Sequence, residues 1–160
     1  MNFFLKGLNM KKTLIFTAVA ALALAGCSKK TPEVDLGNEG MGGIAAQVQS
    51  QLQNVYFDFD KYNIRSDMRS VVASNAAVLN QAGAENLAVA VEGNCDAWGS
   101  DEYNYALGLR RANSVANALT ADGVAAGRLN PVSYGESNPV CTSGGKACDA
   151  QNRRVELKVQ

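Results

Sequence analysis

From Asn54 to the C-terminus the hydrophobic period of this chain switches back and forth between two and about 3.6, and that alternation limits the fold more than any other feature. The run "VYFDFD" (55–60) alternates, with Val55, Phe57 and Phe59 on one face and Tyr56, Asp58 and Asp60 on the other. Ser66 then offers a cap for a helix in which Met68, Val71, Val72, Val78 and Leu79 recur at helical spacing. "LAVAVEG" (87–93) reads as a second strand. Ser100 and Asp101 open a second helix, with acids in its first turn to suit the helix dipole. Its stripe of Gly108, Ala112, Val115, Ala116 and Leu119 is expected to face the core, and Gly123 to end it. "LNPVSYGE" (129–136) and "RRVELKV" (153–159) supply two more strands. The order β-α-β-α-β-β predicts an α+β domain, a sheet with helices packed against it. A segment of about 105 residues suffices for one modest core.

What precedes this domain has a different character. The chain starts "MNFFLKGLNMKKTLIFTAVAALALAGC". Lys11 and Lys12 form a positive region, and Thr13 to Leu24 is an apolar run too short to span a bilayer. Residues 1–26 therefore read as an export signal. "LAGC", ending at Cys27, resembles a bacterial lipobox, which implies cleavage before Cys27 and lipidation of that residue. Met10-Lys11-Lys12 looks like a conventional signal start, so residues 1–9 read as an upstream extension. Residues 28–51 hold four glycines and few large apolar side chains. We read 27–52 as a tether with a short helical piece near Ile44 to Leu52, and 53–160 as the folded domain. Fully extended, such a tether reaches roughly 80 Å.

Charge and cysteine usage narrow the chemistry. Fifteen basic and fifteen acidic side chains cancel over the whole chain. Without the signal, which holds Lys6, Lys11 and Lys12 and no acid, 12 basic groups face 15 acidic ones, a net of −3. A weakly acidic domain with no basic stripe is a poor nucleic-acid binder. The chain has no histidine, which excludes Ser-His-Asp and Cys-His catalysis. With no histidine and unsuitable cysteine spacing, a zinc site is not expected, nor is any cofactor. Lipidation would consume Cys27 and leave Cys95, Cys141 and Cys148 in an oxidising compartment. Cys141 and Cys148 flank the Gly-rich "TSGGKA" and are the expected disulfide, with Cys95 a small buried thiol.

Two sets of residues could act on a ligand. Asp58 and Asp60, on one strand face, could form the carboxylate pair of a glycosidase, although nothing supplies a raised pKa. The stretch "EGNCDAWGSDEYNYALGLRRANSV" (92–115) offers a different chemistry. Asp96 lies just past a strand end, and Asn104, Leu107 and Arg111 share one face of the following helix. Strand ends beside a helix N-terminal half are common ligand positions. An acid and an arginine on two rims of a cleft suit a zwitterion, the acid meeting an ammonium and the arginine a carboxylate. On spacing alone, a surface ion pair between Asp96 and Arg111 competes with that reading.

Four blocks, "VYFDFDKYNIRSD", "VEGNCDAWGSDEYNYALGLRRANSVANAL", "VSYGESNPV" and "NRRVEL", together resemble the outer-membrane-protein-A-like domain family, most closely its lipoprotein branch. The resemblance spans roughly residues 54–158. It implies a sandwich of helices on a mixed sheet and no enzymatic activity. It further implies non-covalent binding of peptidoglycan through the meso-diaminopimelate of its stem peptide. The family's aspartate falls on Asp96, its arginine on Arg111 and its asparagine on Asn104, with Leu107 on the same helix face. Phe57, Asp58 and Arg153 match positions that line or brace the site, and both charges of the Asp96–Arg111 pair are expected to be only partly buried. The resemblance also implies lipid anchoring in the outer membrane facing the periplasm. A partnership with the periplasmic propeller protein of the Tol system follows from it, or else a role as a wall-binding lipoprotein outside that system. Asn94-Cys95-Asp96 departs from the family's usual histidine-led triplet, and Trp98 stands where the branch often has arginine.

Overall fold

A computed structural model describes residues 36–160, with side chains from Gly42 onward. The export signal and Cys27 lie outside the described residues. Among the described residues, four α-helices and four strands follow one another in the order α1 (Leu36–Gln51), β1 (Val55–Tyr56), α2 (Arg69–Leu79), β2 (Val89–Asn94), α3 (Asp101–Ala121), β3 (Leu129–Gly135), α4 (Lys146–Asn152) and β4 (Arg154–Val159). The sheet order is β1-β4-β2-β3, with β2 parallel to β3 and antiparallel to β4, and β1 antiparallel to β4. The mixed α+β sheet expected from the sequence is the one observed.

The period-two pattern of "RRVELKV" explains how β4 separates two environments. Val155 and Leu157 join Val55, Val89, Val91, Val115 and Leu119 in the core beneath the helices. Arg154, Glu156 and Lys158 lie between them in sequence and form an ion-pair ladder. Arg154 is itself buried, its Nη2 donating to Asn138 O at 3.1 Å. The helix α3 crosses β2 so closely that side chains would not fit: a Cβ on Gly93 would stand 1.9 Å from Gly108 O. This crossing of two glycines holds the first turns of α3 against the end of β2, where Asp96 follows. Ser100 caps α3 by accepting Tyr103 N at 3.3 Å, and Gly123, at φ 95°, follows its end.

Several local expectations change. The first strand is two residues long and not six, because its partner runs out: β4 begins only at Arg154, directly after α4. One more bond, Phe57 N to Arg153 O at 3.0 Å, continues the pairing. The chain then turns, Lys61 N donating to Asp58 O and Asp60 taking φ 56°. Val55 and Phe57 are buried as expected, but Phe59 lies within the turn and is exposed. Ser66 caps nothing; it begins a 3₁₀ turn, Ser66–Met68, that leads into α2. The helix α4 was not foreseen, and the Cys141–Cys148 disulfide ties it to the preceding loop. Closing a loop this short contributes on the order of 2–3 kcal/mol.

The folded unit also starts earlier than residue 53. Helix α1 is longer than the short piece read at 44–52, and Val48 on it is fully buried in the core. Gln49 acts as a missing stretch of strand, its Nε2 donating to Leu157 O at 3.0 Å and its Oε1 accepting Val159 N at 2.8 Å. Two hydrogen bonds of this kind contribute about 1–3 kcal/mol in net terms. Gln49→Ala is therefore expected to lower the unfolding free energy by about that amount. Urea denaturation measures it, and a true tether residue would show no change.

Candidate functional site

The site is built where β1 runs out, β2 ends and α3 begins. Arg111 is 0% exposed, yet it carries a full charge. It lies on the inner face of α3, about one turn beyond Gly108, where the close crossing brings the end of β2 within its reach. The Nε donates to Lys61 O at 2.8 Å, Nη1 to Asn94 O at 2.9 Å, and Nη2 to Asp58 O at 3.2 Å. A contact from Nη1 to Cys95 Sγ at 3.4 Å and the Phe57 ring, 5.3 Å from the guanidinium carbon, complete its surroundings. Burial pulls the guanidinium pKa below the usual arginine range, with the nearby Cys95 and Asp96 acting in the opposite sense.

Asp96 is 4% exposed and its ion-pair partner is Arg153, Oδ2 to Nη1 at 2.9 Å. The surface pair of Asp96 with Arg111 weighed from the sequence is thus not formed. Neither charge is only partly buried, because Arg111 is enclosed by backbone carbonyls and Asp96 by Arg153. Arg153 is placed by the short strand pairing that stops β1, its Nε donating to Phe57 O at 3.1 Å. Two cations and one carboxylate therefore share this corner.

Asp58 takes part through its carbonyl; its carboxylate points outward, 3.7 Å from Arg65. Asp60 is hydrogen-bonded to the Tyr103 hydroxyl. The two acids do not share a strand face, so the geometry proposed for a glycosidase pair is not present. Asn104 is fully buried, its amide nitrogen bonded to Glu136. Its Oδ1 is the buried side-chain polar atom with no hydrogen-bond partner among the described residues. Leu107 is buried next to it on α3 and makes none of the polar contacts. The Cys95 thiol is buried, donates to Asn104 O, and is pushed up to about 11 mainly by burial, so it is a structural thiol.

Asp96 and Arg153 open into a cleft of about 350 Å³ that is also lined by Phe59, Trp98, Lys146 and Asp149. Sequence reasoning missed Lys146 and Asp149, which arrive on α4. The disulfide and Asn152 hold that helix, with Asn152 Oδ1 accepting Val140 N and Cys141 N at 2.9 and 3.0 Å. Among the described residues no cluster of His, Cys, Asp or Glu could hold a metal.

The family described as "OmpA family" matches residues 56–153, and a prokaryotic membrane lipoprotein lipid attachment site matches residues 10–28. The chain is 42% identical over 148 residues to the peptidoglycan-associated lipoprotein of Pasteurella multocida, covering 92% of this chain and 95% of the relative. The protein of the same name from Mesorhizobium japonicum is 40% identical over 153 residues, covering 91% and 90%. Among solved structures, the peptidoglycan-associated lipoprotein from Burkholderia pseudomallei superposes with a TM-score of 0.63 at 36% identity, over 68% of this chain and 90% of that one. The C-terminal domain of Helicobacter pylori MotB, at 23% identity and a TM-score of 0.61 over 68% and 84%, shares the fold. The chain belongs to the OmpA family and, within it, to the peptidoglycan-associated lipoproteins.

Proposed function

We propose that this protein binds peptidoglycan non-covalently through the diaminopimelate of its stem peptide, and that it links the outer membrane to the wall. The observation that carries the reading is the Asp96–Arg153 pair that lines the cleft, with the buried Arg111 guanidinium close to it. Arg153 is paired with Asp96 while Arg111 is held by carbonyl dipoles alone, so the corner holds an excess positive charge beside an acid. A group bearing an ammonium and a carboxylate on one carbon meets both signs there. Asp96 takes the ammonium; the carboxylate meets Arg153, and the buried Arg111 charge adds attraction without contact. Arg111 is anchored on three carbonyls and loses little side-chain entropy on binding. Asn104 Oδ1 is an acceptor left for an incoming donor. The names of the relatives support the wall as ligand.

Binding of this kind needs no base, in keeping with a chain that has no histidine. The lipid attachment motif supports anchoring through Cys27, and Ser28 after it favours outer-membrane residence. The domain then faces the periplasm. Within the envelope, the reading extends to the Tol system, with its propeller protein as a partner, and to envelope integrity during division. A genomic neighbourhood holding Tol genes supports that placement, and its absence favours a wall-binding lipoprotein outside it.

Arg111→Ala is a poor probe, because it strips three carbonyls of their donor and destabilises the fold by several kcal/mol. Asp96→Asn keeps shape and burial and removes only the charge. It is expected to weaken binding to diaminopimelate-containing sacculi by about tenfold or more, the loss of one charge-assisted hydrogen bond. Co-sedimentation measures this, with circular dichroism to verify folding. Wild-type protein is expected to bind walls with lysine in place of diaminopimelate poorly, since these lack the distal carboxylate. Equal binding of both walls, or undiminished binding by folded Asp96→Asn, contradicts the proposal.

The anchor has its own test. Cys27→Ser is expected to move the protein from the membrane to the soluble periplasmic fraction, because acyl chains contribute ~0.8 kcal/mol per buried CH₂. Membrane retention of that variant contradicts lipidation at Cys27.

A further inference from the structure

We infer that Trp98 is a platform for a sugar ring of the glycan, so that the cleft holds the stem peptide at Asp96 and the adjoining hexosamine on the indole. The inference rests on the peptidoglycan reading above and adds a second ligand class, carbohydrate, to the same cleft.

Two aromatic side chains border this one cleft and remain largely open to solvent, Trp98 at 64% exposure and Phe59 at 59%. Exposed aromatic surface gathered beside a charged pocket is a mark of a binding site. Trp98 is also held in place. Its indole Nε1 donates to Asp149 Oδ2 at 3.3 Å, which ties the ring to α4. The disulfide and Asn152 in turn fix α4. With its only donor used, the indole has just its π face to offer. That face carries the negative end of the ring quadrupole and suits the C–H face of a pyranose. A cation would also suit it, but the ligand's ammonium has a better partner in Asp96. Lys146 and Asp149 at the rim supply a donor and an acceptor for hydroxyl and acetamido groups.

Trp98 is the chain's single tryptophan, so its emission reports this wall of the cleft directly. The full mature protein in detergent is titrated with a disaccharide–tripeptide and, separately, with the matching free tripeptide, both containing diaminopimelate. The disaccharide ligand is expected to bind about tenfold more tightly than the free peptide and to shift the Trp98 emission. Trp98→Ala is expected to reduce the disaccharide ligand to the affinity of the free peptide while leaving the free peptide unchanged. Trp98→Phe recovers part of the difference. The side chain is exposed, so both variants keep the wild-type melting temperature. Equal wild-type affinity for the two ligands overturns the inference, and so does a Trp98→Ala loss shared by both. If the free peptide binds wild type in an Asp96-dependent way and Trp98→Ala changes nothing, the sugar platform alone falls. If neither ligand binds wild type, the peptidoglycan reading falls with it.

Discussion

The guanidinium of Arg111 is the interaction on which the rest of the site depends. A charge with no exposed surface is costly unless every donor finds a partner, and here the partners are mostly main-chain carbonyls. Lys61 O and Asp58 O belong to the turn after β1, and Asn94 O to the end of β2. One side chain thus joins three segments that no strand pairing connects. Because the carbonyls are dipoles and not acids, the positive charge is solvated without being neutralised. Asp96 is paired with Arg153, so no carboxylate is bonded to the Arg111 guanidinium. The same contacts that hold the fold together keep that charge near the Asp96–Arg153 pair that lines the cleft.

Where strands are too short to satisfy one another, buried amide side chains stand in for backbone. Gln49 completes the edge of β4, and Asn75 both accepts Gln53 N and donates to Gln53 O. Asn152 does the same for Val140 and Cys141. The last of these is closest to function, because it orients the loop and the helix that bring Lys146 and Asp149 to the cleft. A buried backbone group left without a partner is expensive, so each of these residues is more constrained than its composition suggests.

Much of this was legible in the sequence because it is written in periodicity. The core stripe of α3, its Ser100 cap and strands β2, β3 and β4 follow from spacing alone, whereas for Asp96 and Arg111 spacing leaves a surface ion pair in competition and the family resemblance points to a site. The partner of Asp96 was not legible. Arg153 reaches it across 57 residues through the short β1–β4 pairing, a tertiary fact with no local signal. Nor does a run such as "VYFDFD" reveal that its partner strand starts too late to pair with more than its first residues. Helix α4 escaped notice because it has seven residues, begins after two glycines and is held by a disulfide as much as by propensity. The consecutive pair Arg153 and Arg154 shows the limit well: neighbours in sequence, one bonds Asp96 in the site and the other joins the ion-pair ladder of β4.

The central claim is that the buried Arg111 guanidinium and the Arg153–Asp96 pair together form a preset receptor for a zwitterion. Side-chain NMR of the arginine Nε–H groups during titration with a diaminopimelate tripeptide tests it most directly. The largest shifts are predicted at Arg111 and Arg153 Nε–H and at the Asp96 backbone amide, with the amides around α2 unmoved. Saturable binding that leaves both arginine Nε–H signals in place, with shifts confined to another face such as that of Asp101, Tyr105 and Tyr134, would contradict it.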